Sequence, residues 1–143
     1  WCERVAEARR RVPAGLRVSV PCEGLGPSDV AVVAVLTEAL QRSRISSTLS
    51  DYVRGAMALG GSLQLHLPSH VHRLLLLRDG LEIAPNERLR LTTVGWRLGT
   101  APDIRLKRHL VPRFPRFRNT FCKLAVQGLV EYARVLLMDA DTI

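Results

Sequence analysis

Continuous apolar runs alternate along this chain with segments of helical period. Residues 29–37 are apolar and β-branched almost without interruption, which predicts a strand covered on both faces. Residues 38–50 turn polar, with Ser46, Ser47, Thr48 and Ser50, and predict a loop. From Asp51 the period changes: Val53, Ala56, Met57, Gly60 and Leu63 recur at helical spacing, with Ser50 or Asp51 as N-cap. That helix ends near His66, before Pro68. Gly55, Gly60 and Gly61 weaken it intrinsically, so close packing against the sheet accounts for them. Residues 71–77 predict a second strand and Asp79-Gly80 a turn, completing a βαβ unit. Pro85 opens a further helix over 85–93, and 94–98 reads as a short strand.

A basic stretch over 99–118 follows, broken by Pro102, Pro112 and Pro115. Asn119 caps a last helix, in which Phe121, Leu124, Ala125, Leu129 and Tyr132 share one face. Lys123, Gln127 and Glu131 fall on another at i, i+4 and i+8, the pattern of a solvent face. Residues 133–138 form the final strand, also read as buried on both faces. Upstream, residues 3–11 suggest a charged helix. Pro13, Gly15, Pro21, Gly24, Gly26 and Pro27 make 1–28 a linker or disordered extension, apart from a short strand at 16–20. The folded unit is then 29–143, an α/β domain.

The last strand ends on chemistry. Asp139 and Asp141 are spaced i and i+2, so extended geometry puts both carboxylates on one side and Ala140 on the other. Carboxylate oxygens are hard ligands suited to Mg²⁺ or Mn²⁺, and such a metal keeps positions free for phosphates. Open α/β sheets bind ligands at the C-terminal ends of their strands.

Composition narrows the classes. A length of 143 residues with 47% hydrophobic content fits an ordinary globular domain. No apolar stretch reaches the ~20 residues of a membrane span, and 1–28 lacks the order of a secretory signal. Cys2, Cys22 and Cys122 form no CxxC and have no histidine at finger spacing, which argues against zinc and against a dense disulfide framework. Cys122 reads as a small buried hydrophobe. The odd cysteine count leans toward a reducing, cytoplasmic compartment, with a Golgi lumen as the alternative if an anchor precedes Trp1. His66, His70 and His72 suit surface or capping roles better than a metal site.

A net charge of +8 raises binding to polyanions. Aromatic content is 5%, a poor supply of stacking platforms, so no nucleic-acid partner is expected and a basic nucleic-acid-binding domain is the lesser alternative. No P-loop, complete GxGxxG, GxSxG or HExxH occurs.

The stretch from Thr120 through Lys123-Leu124, Leu129-Val130-Glu131-Tyr132 and Met138-Asp139-Ala140-Asp141-Thr142 closely resembles the glycogenin-like glycosyltransferases of glycosyltransferase family 8. Ser50-Asp51-Tyr52 and the helix after it resemble that family's first helix, and 32–37 its first strand. The resemblance covers residues 30–143. It implies a Rossmann-like GT-A nucleotide-diphospho-sugar transferase fold, truncated after the Asp-Ala-Asp strand, with the His-rich remainder of the metal site in the other half. It also implies a UDP-sugar donor, a carbohydrate or protein acceptor, Mn²⁺, and transfer with retention. Asp139 and Asp141 would hold Mn²⁺ against the diphosphate, with Ala140 between them in the donor-binding turn. Lys123 would lie toward the donor's phosphate or sugar, and Thr37, Asp51 and Tyr52 near the uridine. One arginine among Arg113, Arg116 and Arg118, with Arg116 carried forward, would meet the diphosphate. A non-catalytic, nucleotide-sugar-binding relic is the alternative of a different class.

Overall fold

Among the described residues the elements are, in chain order, α1 (Cys2–Arg10), a single 3-10 turn (Ala14–Leu16), β1 (Val30–Leu36), α2 (Leu49–His66), β2 (His72–Arg78), α3 (Pro85–Thr93), β3 (Arg97–Ala101), a long 3-10 segment (Pro115–Gly128) and β4 (Arg134–Met138). The structure is a computed structural model. It describes residues 1–37, 49–104 and 115–140, with side chains at all of these except 49, 50 and 115–119. The four described strands all pair in parallel, in the order β3-β2-β1-β4. The architecture is therefore mixed α/β and Rossmann-like, as the alternation of runs predicts.

Parity within the strands sorts the core into two layers. Val32, Ala34 and Leu36 of β1 and Leu75 and Leu77 of β2 face α2 and α3, meeting Val53, Ala56, Leu59, Leu63, Leu91 and Trp96. Ala31, Val33 and Val35 with Leu74 and Leu76 face the other way, onto Cys122, Ala125, Leu129 and Tyr132 and onto Val18 and Val20. Strands buried on both faces need no polar alternation, which is why β1 and β2 read as unbroken apolar runs. Each fully buried leucine contributes roughly 2 kcal/mol through removal of its surface from water.

Four local expectations change. The stretch 1–28 does not behave as a linker. It carries α1, and Val5, Val12, Val18 and Val20 are all buried. The breakers shape an arm that packs on the sheet, and the strand expected at 16–20 reduces to one antiparallel bridge between Ser19 and Thr100. Cys2 and Cys22 close a disulfide with Cα atoms 5.6 Å apart, and Arg9 ties α1 to Glu131 (Nε to Oε1, 3.1 Å) and to the Val20 carbonyl (3.1 Å).

Second, β3 starts at Arg97 rather than Val94. Val94 instead caps α3, and Gly95 turns the chain with φ +87°. Third, the last helix is a 3-10 segment that begins at Pro115, not an α-helix capped by Asn119. Fourth, Gly60 of α2 makes a close approach to the Trp96 ring rather than to the sheet: a Cβ there would lie 2.4 Å from Trp96 Nε1, whereas nothing lies within 4 Å of one at Gly61. Trp96 donates that indole N–H to the Ala56 carbonyl at 2.6 Å, so the helix must leave room for the ring.

β4 also departs from its expected burial. Among the described residues it is an edge strand, pairing with β1 from Val30 opposite Arg134 to Ala34 opposite Met138, and Leu136 is 56% exposed. An apolar run specifies that a strand is apolar, not that both its flanks are occupied. Leu136→Thr is accordingly expected to change unfolding free energy by less than about 0.5 kcal/mol, as read by urea titration.

At the N-terminal end of the sheet, His72 is buried, whereas His66 and His70 are exposed as expected. Its Nδ1 lies 2.8 Å from the Tyr132 hydroxyl, and Trp1 meets both rings edge-on. Burial, then Arg97, holds the His72 pKa below its ordinary value, against a Gly26 backbone hydrogen bond and Glu131, which act to raise it. Burial pushes Tyr132 up to about 12, so the phenol keeps its proton, and the imidazole tautomer sets which of the two groups donates. A depressed histidine contributes stability that is complete above the unfolded value of about 6.5 and is lost as pH falls toward the folded value, because the unfolded state takes the proton first. The urea midpoint should therefore decline below about pH 6.5, and His72→Gln should flatten that part of the profile.

Candidate functional site

The strand order locates a crevice. From β1 the chain steps to β2 and then β3 on one side, whereas β4 returns to the other side of β1. The reversal lies between β1 and β4, and in open α/β sheets the gap beyond the carboxyl ends of such a pair is where ligands bind. Thr37 directly follows β1 and Asp139 directly follows β4. With Ala34 opposite Met138, Asp139 stands level with the end of β1, about two residues below Thr37.

Strand parity then aims the side chains. Val35 packs in the layer under the 3-10 segment, and Ala140 packs in the layer under α2 and α3. Alternation sends Asp139 away from Ala140, toward the 3-10 segment. There Lys123 Nζ donates to Asp139 Oδ1, joining two residues sixteen apart in sequence. The Lys123 side chain is 29% exposed and that of Asp139 59%, so the pair is open to solvent. Lys123 is held from below by Cys122 and Ala125, both buried in the core. Burial pushes the Cys122 thiol up to about 11, against the opposing fields of Arg78 and Lys123, so it stays a protonated thiol.

The helical solvent face assigned to Lys123, Gln127 and Glu131 does not form. Glu131 has a side chain 3% exposed and pairs with Arg9, while Lys123 turns to Asp139. The other nominated residues fall as follows. Asp51 and Tyr52 sit in the first turn of α2, which follows β1. Asp51 is engaged by Arg54, and Tyr52 packs against the core layer of α2. Ala140 is buried, so its methyl belongs to the core layer under α2 and α3. Asp141, Arg113 and the side chains of Arg116 and Arg118 lie outside the described residues.

One neighbour escaped the sequence reading. Arg78 ends β2 with the parity of Leu74 and Leu76, and its Nη1 lies 3.9 Å from an Asp103 oxygen. A basic residue terminating an apolar strand was the available signal, because strand ends at this edge of the sheet face the ligand side.

Among the described residues, no three His, Cys, Asp or Glu side chains group at metal-ligand range. Asp139 by itself fits a hard divalent cation: its carboxylate is accessible and already attracts a positive group. Among the described residues, no helix is long and apolar enough to cross a membrane. No family model matches the chain, and no curated protein matches it significantly.

Proposed function

We propose that this chain is the donor-binding half of a Mn²⁺-dependent, retaining UDP-sugar glycosyltransferase of GT-A architecture. The observation that carries the reading is the meeting of Lys123 and Asp139 at the β1/β4 reversal. A carboxylate that recruits a divalent ion beside an ammonium that recruits phosphate is the pair of charges a nucleoside diphosphate needs. The resemblance of the Lys123 and Asp139-Ala140-Asp141 blocks to glycogenin-like transferases supports the same assignment.

Asp139 and Asp141 would hold the metal, whose Lewis acidity favours departure of the diphosphate. Lys123 orients the donor phosphate or sugar and stabilises negative charge there. By the resemblance, Thr37, Asp51 and Tyr52 would border the uridine, and Arg116 would offer a second cation to the diphosphate. The acceptor is a carbohydrate or a protein. The Cys2–Cys22 disulfide favours an oxidising lumen over the cytoplasm for this activity.

Calorimetry with UDP tests the reading. UDP should bind in the presence of Mn²⁺ and release when the metal is chelated, and ADP should bind more weakly. Equal UDP binding with and without metal would remove the assignment.

A further inference from the structure

Lys123 and Asp139 each have a second task in the donor site, yet they are spent on each other. The root of Lys123 is fixed by the buried Cys122 and Ala125, whereas its flexible four-carbon stem carries a compact point charge that can be redirected without moving the backbone. The ammonium sits on Oδ1 of Asp139, the side chain a divalent ion would use. Two cations on one carboxylate repel, so occupancy by one disfavours the other.

We propose that Lys123 is a placeholder cation that metal binding displaces from Asp139 toward the donor's phosphate, so that metal and nucleotide bind cooperatively. The inference rests on the donor-site reading above. In the absence of nucleotide the ammonium competes with the metal and weakens it. When the diphosphate is present, the released Lys123 gains a phosphate partner, and the same displacement that opposes metal alone favours metal with nucleotide. The coupling is reciprocal: each ligand tightens the other by one factor. Lys123 acts here as a positioning residue whose departure from Asp139 is part of binding.

The test is calorimetry on the chain with Mn²⁺ alone and with UDP at saturating Mn²⁺, comparing wild type, Lys123→Met and Lys123→Arg. Lys123→Met should bind Mn²⁺ alone about threefold tighter, since an exposed competing ion pair is lost. The same variant should bind UDP about tenfold weaker, since a charge-assisted contact to phosphate is lost. Lys123→Arg keeps a cation on Asp139 and should leave Mn²⁺ affinity near wild type. Opposite shifts in the two affinities are not produced by a merely structural lysine. If Lys123→Met binds Mn²⁺ alone no tighter while wild type still binds UDP with metal, the placeholder role is overturned and the donor site stands. If wild type binds no UDP at saturating Mn²⁺, the donor-site reading falls and the placeholder with it.

Discussion

Gly128→Ala is expected to lower the unfolding free energy by about 3 kcal/mol, the upper range of overpacking costs. A Cβ at Gly128 would lie 2.0 Å from the Leu16 carbonyl oxygen and 3.3 Å from Val12 Cγ1. The nearer atom is backbone and cannot rotate aside. Nor can the arm slide, because Val12 and Val18 are buried on either side of Leu16 and the Leu16 N–H is bonded to the Pro13 carbonyl at 2.9 Å. The clash would prise the 3-10 segment from the N-terminal arm. In a thermal melt it should appear as a loss of roughly 10 °C for a domain of this size. Gly61→Ala is the control of opposite sign. Nothing lies within 4 Å of its Cβ position, so helix propensity alone should stabilise the chain by about 0.5–1 kcal/mol. Equal destabilisation by the two substitutions would mean that the arm does not press on Gly128.

Asp139→Asn is expected to reduce UDP affinity in the presence of Mn²⁺ on the order of 100-fold, to the level measured without metal. The neutral amide removes the charge that would hold a hard cation while keeping the shape of the side chain. The fold should be indifferent to it, because the carboxylate is exposed and its partner Lys123 is a solvent-accessible ammonium. The proper readout is therefore a pair of measurements: calorimetric UDP affinity, which should fall, and the urea midpoint, which should hold. Preserved affinity would exclude Asp139 from the metal site.

How far these features were legible in the sequence depends on whether their causes are local. β1 and β2 were legible because burial on both faces leaves a continuous apolar run. The same rule misjudged β4, whose Leu136 and Leu137 are just as apolar but lie at an edge. Run composition does not reveal which neighbours a strand has. Residues 1–28 read as a linker because prolines and glycines dominate the local signal. Their packing comes from Val12, Val18 and Val20 meeting elements a hundred residues away.

The candidate site divides in the same manner. Asp139 could be nominated from its place at the end of a strand, because period two and the ligand side of parallel sheets are both local rules. The partner of Lys123 could not: i, i+4 spacing pointed to Glu131, whereas the fold gives Glu131 to Arg9 and Lys123 to Asp139. His72 shows the same limit. Its burial against Tyr132, sixty residues on, leaves no trace in the polar and apolar pattern around it.

The central claim is that metal and donor occupy the C-terminal ends of β1 and β4. Paramagnetic broadening by Mn²⁺ in the presence of UDP, read from the backbone amide signals of the isotopically labelled chain, tests it most directly. The amides of Thr37, Lys123 and Ala140 should vanish first. Those of His72 and Tyr132 should persist, since Ala31, opposite His72, lies about 20 Å down the sheet from Thr37. Broadening that begins at His72 and Tyr132, or that spreads evenly over the chain, would contradict the account.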